Sequence, residues 1–91
     1  MLYALICLDK PGSADIRTAN RDAHLAHLTG AGDAVVEAGP FLDDEGGMCG
    51  SLVIFEMADR AEVEAWAADD PYGKAGLFRS VEIRPWKKVI G

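Results

Sequence analysis

The chain is short of basic residues: nine Lys and Arg stand against fifteen Asp and Glu, a net charge of −6. A phosphate-backbone partner rewards a basic face, so the balance argues against nucleic-acid binding. Long hydrophobic runs are missing too, since no apolar stretch approaches the roughly 20 residues that span a bilayer. The first run, Met1 to Leu8, has no basic leader and no cleavage site, and it reads as a strand rather than a signal peptide. Cysteine is limited to Cys7 and Cys49. That is too few for a disulfide framework, and no Cys or His pair has zinc spacing. A reducing, cytoplasmic setting without membrane contact is the expectation.

What is present suits one compact domain over residues 1–91, with 49% hydrophobic content available for a single core. Leu2 to Leu8 are apolar at both parities, which predicts a central strand covered on both faces. A turn at Asp9-Lys10-Pro11-Gly12 leads to Ser13 as the cap of a helix over Ala14 to Ala31, ended by Gly30 and Gly32. Asp33 to Phe41 predicts a second strand that stops at Gly39-Pro40, at a sheet edge because proline cannot donate to a ladder. The acidic loop Asp43-Asp44-Glu45-Gly46-Gly47 lacks calcium-loop spacing and reads as a solvated connection. A third strand, Cys49 to Met57, is again apolar at both parities. Asp59 and Glu62 form a capping box for a helix with an inner stripe of Val63, Trp66 and Ala67. A last strand, Phe78 to Val89, carries Pro85 and lysines as edge devices.

The resulting β-α-β-β-α-β pattern predicts an α+β, ferredoxin-like antiparallel sheet in the order 4-1-3-2. Right-handed crossovers put both helices on one face. The second apolar face of strands one and three then calls for a cover, and a homodimer packed sheet to sheet supplies it.

The candidate chemistry centres on His24 and Asp70. An imidazole titrates near neutrality, and a carboxylate on its other nitrogen fixes the tautomer. Asp70 precedes Pro71, so a plain helix cap explains it equally well. Arg17, Arg21 and His24 recur at i, i+4 and i+7 on one helix face, either as a solvated basic face or as a binding edge for an anionic ligand. His27 lies three residues from His24, but no third ligand at metal spacing supports a metal site. Ser51 is a satisfied core hydroxyl or a ligand contact, and Tyr72 packs or donates a phenolic hydrogen bond. Cys7 and Cys49 read as buried free thiols.

Several short pieces keep a characteristic order and spacing along the whole chain. They are Met1-Leu-Tyr-Ala, Arg17, Arg21-Asp-Ala-His24-Leu, Glu37-Ala-Gly-Pro40, Gly50-Ser51, Asp69-Asp70-Pro71-Tyr72, Ala75-Gly76-Leu77-Phe78 and Val81-Glu-Ile-Arg-Pro-Trp86. Together they resemble the YCII-related domain family, small proteins similar to muconolactone isomerase in the dimeric α+β barrel group. The resemblance implies a ferredoxin-like fold, dimerisation through sheet faces, and a site built on a histidine and an aspartate, here His24 and Asp70. Asp33 is the alternative acid. Asp22 departs from the commoner pattern, which has proline at that position. The implied function is a cofactor-independent lyase or isomerase, dehydrochlorinase-like or muconolactone isomerase-like. Arg17, Arg21, Ser51 and Tyr72 would line the pocket for a small polar or aromatic-like substrate. The alternative is a non-catalytic dimeric module that binds a small metabolite.

Overall fold

The computed structural model describes residues 1–91. Strand β1 (Leu2–Asp9) leads through helix α1 (Ala14–Gly30) and a 3-10 turn (Gly32–Ala34) to strands β2 (Val35–Leu42) and β3 (Met48–Glu56). Helix α2 (Arg60–Ala68), the one-turn helix α3 (Pro71–Lys74) and strand β4 (Phe78–Trp86) follow. The strands form one antiparallel sheet in the order β2-β3-β1-β4, the expected ferredoxin-like order read from its other edge.

Register decides which side chains meet the helices. Tyr3 pairs with Phe55, Leu5 with Val53 and Cys7 with Ser51, so the pleat sends these residues to one face. There Tyr3, Leu5, Cys7, Val53 and Phe55 pack with Val63 and Trp66 of α2 into the core, and Leu28 of α1 borders it. The opposite parity, including Ala4, Ile6, Leu52 and Ile54, faces away from the helices. Ala4 and Ile54 are buried there by their strand neighbours, while Trp86 is 43% exposed.

Four local expectations are corrected. Ser13 makes no side-chain cap bond; its backbone carbonyl instead accepts from the Ile16 and Arg17 N–H groups at 3.0 and 3.2 Å. The 3-10 turn takes up Asp33, so β2 begins at Val35 and then runs past Pro40 to Leu42. A strand bonded to β3 alone loses little when one residue has no N–H. Strand β4 stops at Trp86, not Val89, because Trp86 pairs with Leu2 and β1 offers no further partner. The helix face of Arg17, Arg21 and His24 is not simply solvated: Arg17 and His24 are the buried residues of α1. The apolar stripe of α1 is thin, and partnered polar side chains fill the contact instead.

Other signals act as read. Asp59 accepts from the Glu62 N–H at 3.0 Å, while the Glu62 carboxylate accepts from the Ala58 N–H at 3.1 Å. Gly50, just before Ser51, is fixed by space. A Cβ there would come 2.5 Å from the Cys7 carbonyl oxygen and 3.0 Å from the Phe41 ring. Gly50→Ala therefore forces β1 and β3 apart and is expected to cost about 1–3 kcal/mol, read as a lower urea midpoint at unchanged slope.

Candidate active site

The site is organised by the short turn after α2. Asp70 has extended backbone angles, φ −63° and ψ 122°, and caps α3 with Pro71 in the first turn. Its Oδ1 accepts the Tyr72 N–H at 3.1 Å. The far end closes just as firmly: the Leu77 N–H reaches the Tyr72 carbonyl and the Gly76 N–H the Gly73 carbonyl, both at 3.1 Å. This paired closure needs a left-handed residue, and Gly76 supplies it at φ +77°. The Lys10 N–H then donates to the Leu77 carbonyl at 2.8 Å, tying the turn to the end of β1. Asp70 is thereby immobilised at 2% exposure.

Helix α1 brings His24 against this fixed carboxylate, with Nδ1 2.8 Å from Asp70 Oδ1. With the Asp70 carboxylate accepting, Nδ1 is the donor of this bond, and in the neutral imidazole Nε2 is then the acceptor. Nε2 has no protein partner, is not sealed from solvent, and belongs to a residue that lines a cavity of about 170 Å³. An enclosed cavity of about 150 Å³ holds benzene, so the space suits a single six-membered ring. Arg21, Ser51 and Tyr72 line its polar side, and Leu25, Leu28 and Pro40 lie among its apolar walls.

A stacked column supports the imidazole. The Tyr72 ring lies on His24 with centroids 4.0 Å apart and planes 16° from parallel. The Arg17 guanidinium stands 4.7 Å from the centre of the Tyr72 ring. Arg17 is in turn held by Asp9, Nε to Oδ2 at 2.8 Å and Nη2 to Oδ1 at 2.9 Å, and it donates to Ser51 Oγ at 3.2 Å. Burial works against the Arg17 charge, but the Asp9 hydrogen bonds and charge outweigh it and raise its pKa. Burial also pushes the Tyr72 phenol up, with the Arg17 and Arg21 charges pulling part of the way back. Tyr72 therefore remains a donor. The Cys7 thiol is pushed up to about 12 by burial first, then by the Asp70 and Asp9 charges, so it stays neutral beside the site.

The residues singled out in the sequence thus divide. His24, Asp70, Ser51, Tyr72, Arg17 and Arg21 converge, although 46 residues separate the histidine from its acid. Asp33 stays exposed in the 3-10 turn, and His24 Nδ1 bonds Asp70 instead. His27 turns away to bond the Trp66 carbonyl at 2.9 Å and stack on its indole at 4.3 Å. Asp9 is the residue that sequence reasoning missed. It stands in a turn cluster eight positions before Arg17, a separation that no helix or strand period marks.

Fold and site together define a small ferredoxin-like α+β domain with a buried histidine–aspartate pair at a ring-sized cavity. The YCII-related domain model matches residues 1–87, and the chain belongs to that family. It is 39% identical to protein YciI of Escherichia coli and 37% identical to an uncharacterised protein of Haemophilus influenzae, in each case over 99% of this chain and 100% of the relative. Among solved structures it is similar to the 5-chloro-2-hydroxyhydroquinone dehydrochlorinase of Burkholderia phenoliruptrix AC1100 in complex with 2,5-dihydroxybenzoquinone. That match has a TM-score of 0.89 and 36% identity, covering 96% of this chain and 94% of the other. An antibiotic biosynthesis monooxygenase, 17% identical at a TM-score of 0.59, shares the fold alone, with 99% of this chain and 100% of the other covered.

Proposed function

We propose that this protein is a small enzyme of lyase or isomerase type that moves a proton on a hydroxylated six-membered ring, with His24 as the base and Asp70 orienting it. The observation that carries this reading is the 2.8 Å His24–Asp70 bond at the wall of the cavity, which leaves Nε2 free toward a ligand. The similarity to a dehydrochlorinase supports the choice of reaction. In that chemistry a chlorinated hydroquinone loses HCl. His24 Nε2 takes one hydroxyl proton and delivers it to the chlorine-bearing carbon, so that the oxygen becomes a carbonyl and the carbon a saturated H–C–Cl centre. A second hydroxyl then loses its proton to Nε2, its electron pair forms the second carbonyl, the ring double bond shifts to the C–Cl carbon and chloride leaves with the bonding pair. The ring ends as the quinone, two O–H protons are spent (one on carbon, one with chloride as HCl), and no added oxidant is needed.

The test is chloride release from 5-chloro-2-hydroxyhydroquinone, followed with a chloride electrode. Release above the buffer rate supports the proposal. No release, combined with retention of 2,5-dihydroxybenzoquinone, would replace it with a non-catalytic binding module.

The proposal includes a homodimer packed through the open sheet face. Support comes from a largely apolar groove on that face, where the half-buried Ile6 and Leu52 lie with Phe41, Pro85 and Trp86, and Glu37 and Arg84 stand among them. Light scattering at micromolar concentration should report twice the 9.7 kDa chain mass, and Ile6→Asp should return the monomer. A wild-type monomer would contradict it. No helix is long and apolar enough to cross a membrane.

A further inference from the structure

We infer that the cavity takes a ligand bearing one anionic oxygen, and that Arg21 alone reads its charge while Arg17 only positions the wall. This rests on the reading of the cavity as the active site. Both arginines lie on the same face of α1 and both border the cavity, so sequence alone makes them equivalent. The structure makes them different.

Arg17 is committed. Two of its nitrogens hold both oxygens of Asp9, its side chain and that of Asp9 are each 7% exposed, and the pair is neutral as a unit. Beyond Asp9 it stands over the Tyr72 ring, 4.7 Å from its centre, and donates to Ser51 Oγ. A hydroxyl that accepts from a guanidinium turns its own hydrogen elsewhere, and Ser51 O–H has no other protein partner while the residue borders the cavity. Arg17 thus makes Ser51 a donor toward the ligand. Tyr72 also stays protonated, with its ring held between Arg17 and His24. Arg21, by contrast, is exposed and has no salt-bridge or hydrogen-bond partner.

Around the His24 acceptor the cavity therefore offers hydroxyl donors and one uncompensated positive charge. A single oxyanion satisfies it. A second anionic group would find Arg17 already neutralised, Asp70 nearby, and a chain whose net charge is −6. Asp9 becomes a positioning residue: it acts through Arg17 on Ser51 and touches no ligand.

Three monocyclic ring compounds of increasing negative charge test this: benzyl alcohol (neutral), benzoate (one carboxylate) and phthalate (two), titrated against the wild-type protein by isothermal calorimetry. Benzoate should bind roughly 10- to 100-fold more tightly than benzyl alcohol, and phthalate no more tightly than benzoate. Arg21→Gln should remove that preference, and Ser51→Ala should weaken benzoate by about 3- to 10-fold. Equal binding of benzoate and benzyl alcohol, a tenfold gain for phthalate, or an unchanged charge preference in Arg21→Gln would each overturn the inference. Failure of the catalytic reading looks different: benzoate binds as described and no chloride is released.

Discussion

If His24 is the base, His24→Ala is expected to lose roughly 10²- to 10⁴-fold in turnover, the range that a positioned acid or base contributes. His24→Gln is the sharper variant, because its amide still donates to Asp70 Oδ1 yet cannot take up a proton at neutral pH. Both should lose activity together. Their stabilities should part, since the alanine leaves the buried Asp70 carboxylate without the partner it has at 2.8 Å. Asp70→Asn separates the two roles of that residue. Asparagine Oδ1 still accepts the Tyr72 N–H, so the α3 cap survives. The charge that fixes and stabilises the imidazole does not. Activity should therefore fall while the unfolding midpoint moves little. Full turnover in His24→Gln would remove the histidine from the mechanism.

Arg17→Leu has the largest expected effect on stability. It leaves the Asp9 carboxylate buried, with side-chain exposure of 7% and its bidentate partner gone. Breaking a buried pair from one side costs about 3–5 kcal/mol, against a total of about 5–15 kcal/mol for a domain. Each kcal/mol lowers the melting temperature by about 4–8 °C at this size. Removing both charges tells the rest. Asp9→Asn combined with Arg17→Leu should recover much of the loss, because no uncompensated charge stays buried. Activity should not recover with it, since Ser51 has still lost the guanidinium that sets its hydrogen direction. A single Arg17→Leu variant within about 1 kcal/mol of wild type would mean that the pair is screened like a surface bridge.

Topology was legible because the signals that set it are local. Two runs apolar at both parities identify β1 and β3 as the interior strands, and the Asp59–Glu62 box and the Asp70-Pro71 start mark where α2 and α3 begin. Strand ends were less legible, because they depend on the partner: β4 stops where β1 begins, and Pro40 is tolerated because β2 has only one neighbour. His24 and Asp70 are a candidate pair from residue chemistry, with a plain helix cap as the rival reading of Asp70; the resemblance favours the pair, and their 2.8 Å approach is a product of the fold. Nothing in the spacing of Arg17 and Arg21 reveals that one is neutralised by Asp9 and the other is free. That difference comes from β1 ending beside the first turn of α1, and it assigns the two arginines different work.

The most direct measurement is a crystal structure of the protein soaked with 2,5-dihydroxybenzoquinone. The ring should lie in the cavity beside Tyr72, with one oxygen within hydrogen-bond distance of His24 Nε2, another at Ser51 and Arg21, and the Asp9–Arg17 pair unbroken. A quinone bound elsewhere, or one in the cavity with His24 Nε2 turned from it, would contradict the proposed site.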